Sequence, residues 1–468
     1  MKKYINLLIA LLFIAGVSTA CEDYLEPTLP DSKDTESALG TVDDLNAFVL
    51  GIMDDINSTT YMGSHIPVAL AVRSDNFFSN GNSGRFTTVS QFVQTASDGY
   101  ASSVWTISYQ AISNANVVIN ADLEETDEVK HIKGQAYALR ALIYMNLNMF
   151  FGQEHVGGTL GVPVVTAYND GNLIPARNTV TEVWNQVEAD LNAAAANMSQ
   201  DAAMNNDKTV ITYNAVKALQ SRYYLYTKQY AKAITAADAV IATGEYSVPD
   251  AASLATEWAK DGGYVNSIFE LAYNASDNTG NESIARFYLD TNYGDVELTL
   301  DAATNLYDPT DARLGLITSN VHANHGLQYR LSGKYPDAVT NDDNVIVIRY
   351  EEVILNKAEA QIRSSVAAGT VATTLNLIAN KRGIVPYTAA TTDVDAVMLE
   401  RRRELIGEGF RFFDLLRNGE MIPRGDAQEP YSDALGIPAG DTRLVYPIPL
   451  SELNANSSMV QNEDYNSN

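Results

Sequence analysis

Cysteine is almost missing from this chain: Cys21 is the single one in 468 residues. One cysteine cannot close a disulfide within the chain, so the fold must stand on burial and hydrogen bonds. Tryptophan (3) and histidine (5) are nearly as scarce. His322 and His325 lie three apart, but no third His or Cys stands near them, and they read as a surface pair without metal. His131 reads as the solvent side of a helical pattern. Basic residues are short too: 31 Lys and Arg face 58 Asp and Glu, a formal net charge of −27. Such a field repels phosphate backbones and argues against a nucleic-acid partner. No G-x-S-x-G elbow, P-loop or H-E-x-x-H is present. Adjacent acids such as Asp54 with Asp55, or Asp342 with Asp343, are expected at random in so acidic a chain, and glycoside hydrolysis needs a set separation in space, not adjacency in sequence. The chain is read as a non-enzyme without a cofactor.

What is present begins with the leader. Lys2 and Lys3 precede an apolar stretch from Ile5 to Val17, and Ser18, Thr19 and Ala20 lead into Cys21. This is the layout of a bacterial lipoprotein signal, although Ser18 stands where such signals usually carry Leu. The stretch is too short to span a bilayer comfortably, and nothing comparable follows it. Residues 1–20 are expected to be the signal peptide and Cys21 the lipidated residue, its acyl chains holding a soluble body to a membrane. Loss of Lys2 and Lys3 takes the charge from −27 to −29. Glu22, Asp23 and Glu26 are either an address for display on the outer face of the outer membrane or a solvated leader. Residues 21–40, with Pro27 and Pro30, read as a tether.

From residue 41 a body of mainly helical pattern extends to 468. Thr41 with Asp44 is a capping pair, followed by Val42, Leu45, Val49, Ile52 and Ile56 on one face. Helical spacing recurs at Val104–Ile119 and Val129–Phe151, and Gly152 ends the second run. Thr179 with Glu182 makes a capping box for Val183, Val187 and Leu191. Tyr213–Lys228 and Tyr230–Gly244 follow, and the stretch Tyr213–Tyr246 looks like a tetratricopeptide unit. Ile268–Tyr273 is a candidate strand. Helices are expected at Val345–Ile362, at Thr373–Lys381, and after a Thr392–Asp395 cap. Gly407 and Gly409 should break that last helix or pack closely, because glycine inside a helix costs about 1 kcal/mol relative to alanine. Arg401, Arg402 and Arg403 interleave with Glu400, Glu404 and Glu408 at intrahelical pairing distance. Two regions escape periodicity: 61–99 and 277–344, rich in Asn, Asp, Gly and Tyr. Loops of that length are usually functional. Trp105 and Trp184 sit in helical patterns beside apolar neighbours, Trp258 precedes the candidate strand, and all three read as core.

Several blocks together resemble the SusD/RagB family of outer-membrane nutrient-binding lipoproteins. They are Trp105 with Tyr109, Ile112 and Asn116; Lys133 to Ala141; Ile348 to Ala360; Glu400 to Arg417; and Tyr446 through Asn454 to Gln461 and Asn462. Asn462 to Tyr465 departs from the family, which usually has Pro-Gly before the Tyr. The resemblance implies one mainly α, SusD-like fold with tetratricopeptide-like helix pairs (a scaffold at about 98–246), long irregular ligand-bearing loops and a C-terminal part at 345–468. It also implies a cell-surface, lipid-anchored binding protein. Such a protein captures oligosaccharides, or in some members peptides, for a SusC-like TonB-dependent transporter. The alternatives are an assembly subunit of the transporter without its own ligand, and, less favoured, a glycoside hydrolase.

Sugars present hydroxyls on an edge and C–H groups on a face, so their sites join forked polar groups to an aromatic ring. The expected ligand surface is the 73–85 segment: Arg73, Asp75, Asn76, Asn80, Asn82 and Arg85 as the polar set, with Phe77 or Phe78 as the ring and the other pinning the loop to the core. Tyr100, Tyr293, Tyr329 and Tyr335 are the further aromatic candidates.

Overall fold

Periodic apolar faces become helices where the sequence supplies caps. The computed structural model of the chain describes residues 39–167, 173–290, 293–323, 326–424 and 436–465; Cys21 and His325 lie outside them. The chain divides into a short unit ending at Asp44 and a body from Leu45. In the short unit the Thr41 amide donates to Asp44 Oδ2 at 3.0 Å. Helix α1 (Val42–Asn57) buries Leu45, Val49, Ile52, Met53 and Ile56. The first irregular region then holds α2 (His65–Val72), β1 (Phe77–Ser79) and α3 (Thr87–Ser90).

The scaffold follows. Helix α4 (Gly99–Ile119) starts at Asp98, whose carboxylate accepts from the Tyr100 amide, and α5 (Asp127–Phe151) starts at Thr126 in the same way. Helix α6 (Val180–Asn197) carries the full Thr179–Glu182 capping box. After it come α7 (Tyr213–Tyr226) and α8 (Tyr230–Ile241). Helix α5 packs on both α4 and α6, and α7 packs on α8. Small residues set the spacing: a Cβ at Gly134 on α5 would meet the Met198 side chain at 2.4 Å. His131 is a correction to the sequence reading. It is 4% exposed, and its Nδ1 accepts from the Ser199 amide at 3.1 Å.

Next come α9 (Leu254–Trp258), β2 (Ser267–Leu271), α10 (Ile284–Tyr288), β3 (Val296–Leu298), α11 (Leu300–Thr304), β4 (Thr318–His322), β5 (Gly326–Arg330) and β6 (Val345–Arg349). They pair as three antiparallel ribbons, β1 with β3, β2 with β6 and β4 with β5. The expected helix at Val345–Ile362 is therefore a strand followed by α12 (Tyr350–Arg363). Val-Ile-Val-Ile is a β-branched run whose apolar character fits either state, and pairing with β2 decides it. Helix α13 (Ala368–Arg382) lies against α12, and α14 (Val394–Glu404) begins at Asp393, not Thr392: the Ala396 amide donates to Asp393 Oδ1 at 2.8 Å. Gly407 and Gly409 take φ of +78° and +84° and break the helix, as expected. Helix α15 (Phe410–Arg417) turns back into the core, and α16 (Leu450–Ala455) follows. Among the described residues no helix is long and apolar enough to cross a membrane.

The acidic and basic residues around α14 do not pair within their helix. Glu404 receives Arg313 at 2.8 Å, Arg349 at 2.9 Å and Arg382 at 2.7 Å. Arg401 donates to Asp414, and Arg402 reaches Asn76 and Asp301. This buried lattice joins α12, α13, α14 and the irregular segments, a tertiary role that i, i+4 spacing alone does not reveal.

Candidate functional site

The 73–85 segment leaves α2, runs along β1 and turns at Gly81 and Gly84, both at positive φ. Its first half is buried by its own chemistry. Arg73 is 0% exposed; it donates to Gln94 Oε1 at 2.6 Å and to the carbonyls of Arg443 and Leu444 at 3.0 and 2.9 Å. Its guanidinium lies over Phe92, Phe412 and Tyr446. Asp75 accepts two bonds from Arg411, each 2.8 Å. Burial pushes its carboxyl up, but Arg411 and Arg402 outweigh that and hold it below the usual range. Asn76 Oδ1 accepts from Arg402 Nε at 2.7 Å. Phe77 and Phe78 are each 1% exposed; Phe77 packs edge-on to Tyr288. Asn80 donates to the Gly294 carbonyl at 3.0 Å and to Glu297 at 2.5 Å. The structure thus corrects the expected ligand set. Arg73, Asp75, Asn76, Phe77, Phe78 and Asn80 face inward, and neither phenylalanine is free to stack on a ligand.

The second half forms a rim. Asn82 is exposed, and its side chain donates to the Tyr293 carbonyl at 2.7 Å. Ser83 clamps Asp295 through its amide (2.8 Å) and hydroxyl (2.6 Å). Asp295 stays above the usual carboxyl range, because burial outweighs those two bonds. Arg85 is about one-third exposed and donates to Glu282 at 2.8 Å. Glu282 also meets His65 Nε2 at 3.1 Å. Burial lowers the His65 pKa, only partly offset by Glu282. The Arg85 guanidinium lies 3.6 Å from the Tyr293 ring centroid, and Tyr293 stacks on Phe287 at 5.8 Å. Tyr293 is therefore layered under Arg85, and the group that the stack presents is the guanidinium. Its Nε has no partner among the described residues.

Tyr100 and Tyr335 act elsewhere. Tyr100 stacks on Phe86 at 5.0 Å, and its hydroxyl accepts from the Phe86 amide at 2.9 Å; burial raises its pKa to about 12. This clamp holds Phe86 at a φ of +57°, a conformation that a bulky residue adopts only under constraint. Tyr335 donates to the Gly407 carbonyl at 3.1 Å and lines a separate cleft. Tyr329 lies on β5, where it pairs with Ser319 and shares the outer face of the ribbon with Val321 and Leu327. The inner face carries Gln328 and Arg330, both buried. Arg330 donates to the Gly294 and Val296 carbonyls at 2.7 and 2.9 Å, and Gln328 donates to Glu297. The loop 80–85, the 293–297 segment and the β4–β5 ribbon are thus laced together; Asn82, Arg85 and Tyr293 meet at one rim, and Tyr329 lies on the other face of the adjoining ribbon.

Sequence reasoning missed the cleft that Tyr335 lines. Trp258, half-buried, packs against the core and also stands at the cleft wall, together with Tyr264, Lys334, Asp337, Asp343 and Glu408. Nothing in the periodicity marks it, since its walls come from 63–67, 258–264, 279–285 and 334–346. Among the described residues no group of three or more His, Cys, Asp or Glu is placed to hold a metal ion.

Comparison with known proteins agrees with this architecture. A family model described as starch-binding, associating with the outer membrane, matches residues 23–225, and the model of the SusD family matches 182–465. A SusD-like protein of Formosa agariphila is 23% identical over 99% of this chain and 100% of its own length. Among solved structures, a SusD superfamily protein of Bacteroides thetaiotaomicron is 29% identical with a TM-score of 0.82, covering 90% of this chain and 99% of that one. Another from Bacteroides vulgatus is 27% identical, TM-score 0.81, covering 91% and 100%. The surface glycan-binding protein A of Bacteroides fluxus, at 21% identity, TM-score 0.71 and coverage of 91% and 100%, shares the fold.

Proposed function

The chain belongs to the SusD family, and from that premise we propose that it is a lipid-anchored protein of the outer membrane that binds oligosaccharides and passes them to a TonB-dependent transporter. The observation that carries the reading is the Arg85 rim. A guanidinium held over Tyr293, with a spare N–H, stands beside the exposed Asn82. Such a rim offers forked donors to vicinal hydroxyls, while Tyr329 on the adjoining ribbon offers a ring to a C–H face. The surface needs no rearrangement of the buried half, so little ordering cost opposes binding. The neighbour named for glycan binding shares the fold, and the acidic character of the chain disfavours anionic ligands.

In this reading residues 1–20 are the signal, Cys21 carries the lipid, and 21–40 is the tether to a single body. Calorimetry of the body from residue 41 against a panel of neutral oligosaccharides and of peptides tests the ligand class. Saturable heat with an oligosaccharide, weakened by Arg85→Ala and Tyr329→Ala without loss of fold, is the expected result. Heat with peptides alone would replace the ligand class, and chemical products would make the protein an enzyme. Co-purification of a TonB-dependent barrel with the full-length protein tests the partner.

A further inference from the structure

Away from the Arg85 rim, a cleft lies between α9 and the 334–346 segment. Three aromatic residues line it, Trp258, Tyr264 and Tyr335, with ring centroids of Tyr264 and Tyr335 each a little over 6 Å from Trp258. Both tyrosine hydroxyls are committed to backbone carbonyls, Tyr264 to Lys260 at 2.8 Å and Tyr335 to Gly407 at 3.1 Å, so these residues bring rings rather than free hydroxyls to the cleft. Asn344, which lines the same wall, is also fully engaged: it donates to Glu270 and accepts from the Tyr273 amide.

Asp343 is the exception among the lining groups. It is half-buried, and no hydrogen bond or ion pair engages its carboxylate among the described residues. The charges that act on it are those of Asp337, Asp261 and Asp342, all carboxylates. The positive charges nearby are already taken. Lys334 donates to Glu408 at 2.5 Å and to the Ile406 carbonyl at 2.8 Å, and Arg349 chelates Glu408. Lys334 nevertheless places its ammonium 4.5 Å from the Trp258 centroid, so this indole already takes part in cation–π contact. A cation that needs several carboxylates in one shell is not served here, since the acids are not placed to chelate. An ammonium needs only one carboxylate and a ring face.

We propose that this cleft is a second binding site, distinct from the Arg85 rim, for a compact organic ammonium such as an aminosugar, which sets its charge against Asp343 and its C–H surface against Trp258, Tyr264 and Tyr335. The site goes beyond the neutral-glycan reading and does not depend on it.

The test uses the body from residue 41 and three probes: choline, glucosamine and glucose. Saturable binding of choline or glucosamine by calorimetry, with quenching of tryptophan fluorescence and no binding of glucose, is expected; which of the two binds tells whether the sugar ring contributes. Asp343→Asn should weaken glucosamine binding about tenfold or more, the range of a charged hydrogen bond, and should weaken choline, whose ammonium has no N–H, through lost charge attraction alone. The variant should fold at least as well as the parent above neutral pH. Burial and the surrounding carboxylates push Asp343 up to about 7 from an ordinary 3.8, so the folded state loses stability as pH rises through that interval, and the Asn variant escapes the loss. Choline keeps its charge at every pH. Its affinity should therefore fall as pH drops below about 7, with Asp261, Asp337, Asp342, Lys334 and Glu408 the other charged groups facing the cleft. Glucose binding as tight as glucosamine, no saturable binding of either cation, or unchanged affinity in the folded Asp343→Asn variant would each overturn the proposal.

Discussion

Arg85 and Arg73 lie on one loop, and replacing each with alanine separates a rim role from a scaffold role. In Arg85→Ala the folded protein loses a part-exposed pair with Glu282 and a guanidinium over Tyr293. Exposed ion pairs contribute about 0.2–1 kcal/mol and exposed cation–π contacts about 0.5–1 kcal/mol. The stability cost is therefore about 1 kcal/mol, since Glu282 keeps His65 as a partner. A charged hydrogen bond to a ligand hydroxyl is worth about 1.5–3 kcal/mol, so binding should weaken roughly ten- to hundredfold. Arg73→Ala inverts the pattern. Gln94 and two backbone carbonyls lose their buried donor, each at about 1–3 kcal/mol. A cavity opens among Phe92, Phe412 and Tyr446 as well. The sum exceeds about 4 kcal/mol, a large share of the roughly 5–15 kcal/mol that holds an ordinary domain folded. Urea melts give the stabilities, and calorimetry with the oligosaccharide found by the panel gives the affinities. Arg85→Ala binding within twofold of the parent, or Arg73→Ala melting as the parent does, would refute the division.

Three further outcomes are expected. Gly407→Ala should lower the urea midpoint by the equivalent of about 1–3 kcal/mol, because φ is +78° and a Cβ would stand 2.6 Å from Leu331 Cδ2; a change below about 0.5 kcal/mol contradicts the packing role. Burial raises the Glu359 carboxyl, but Arg417, Arg401 and Arg363 pull it down to about 2 from 4.5. The resulting stability is present above pH 4.5 and is lost as pH falls toward 2, so Glu359→Gln should flatten the acid limb of a stability-against-pH curve. Cys21→Ala should release the full-length protein from membranes or leave the signal uncleaved, and wild-type partition into the outer-membrane fraction would reject the anchor.

The helical scaffold was legible because its signals are local. Thr179 with Glu182, the Val183–Val187–Leu191 face and the Gly407 break can each be read within a few residues. What failed were decisions that need a partner distant in sequence. The Val345–Arg349 run becomes a strand because Ser267–Leu271 pairs with it. Arg401–Arg403 turn outward to Asp414, Asn76 and the Leu306 carbonyl instead of to their own helix. His131, polar and set on a helix, is buried because the Ser199 amide needs its ring nitrogen. Trp258, just before a strand, reads as core and does pack against it, but only the approach of 334–346 shows that it also walls a cleft.

The ligand loop shows why the candidate site was only half legible. A segment rich in Arg, Asp and Asn looks like ligand chemistry, yet the same residues are what an irregular backbone requires when it passes through a core. Outside helices and sheets, buried amides and carbonyls have no ladder to complete them, and side chains must do so. Asp75 anchors Arg411, Asn80 satisfies Gly294 and Glu297, and Arg330 closes the Gly294 and Val296 carbonyls from the opposite ribbon. Alternation along the extended stretch does not separate the two uses, because α2, β3 and the α14–α15 turn enclose it on several sides. The boundary falls at Gly81, where the chain reaches positive φ and turns outward. From there the polar residues stand at the surface, with Asn82 exposed and Arg85 partly so. In the proposed reading the 73–85 segment meets ligand only at this short turn, which the buried residues before it hold in place. Substitutions at 82 and 85 should tune affinity, while those at 73–80 act on the fold that makes affinity possible.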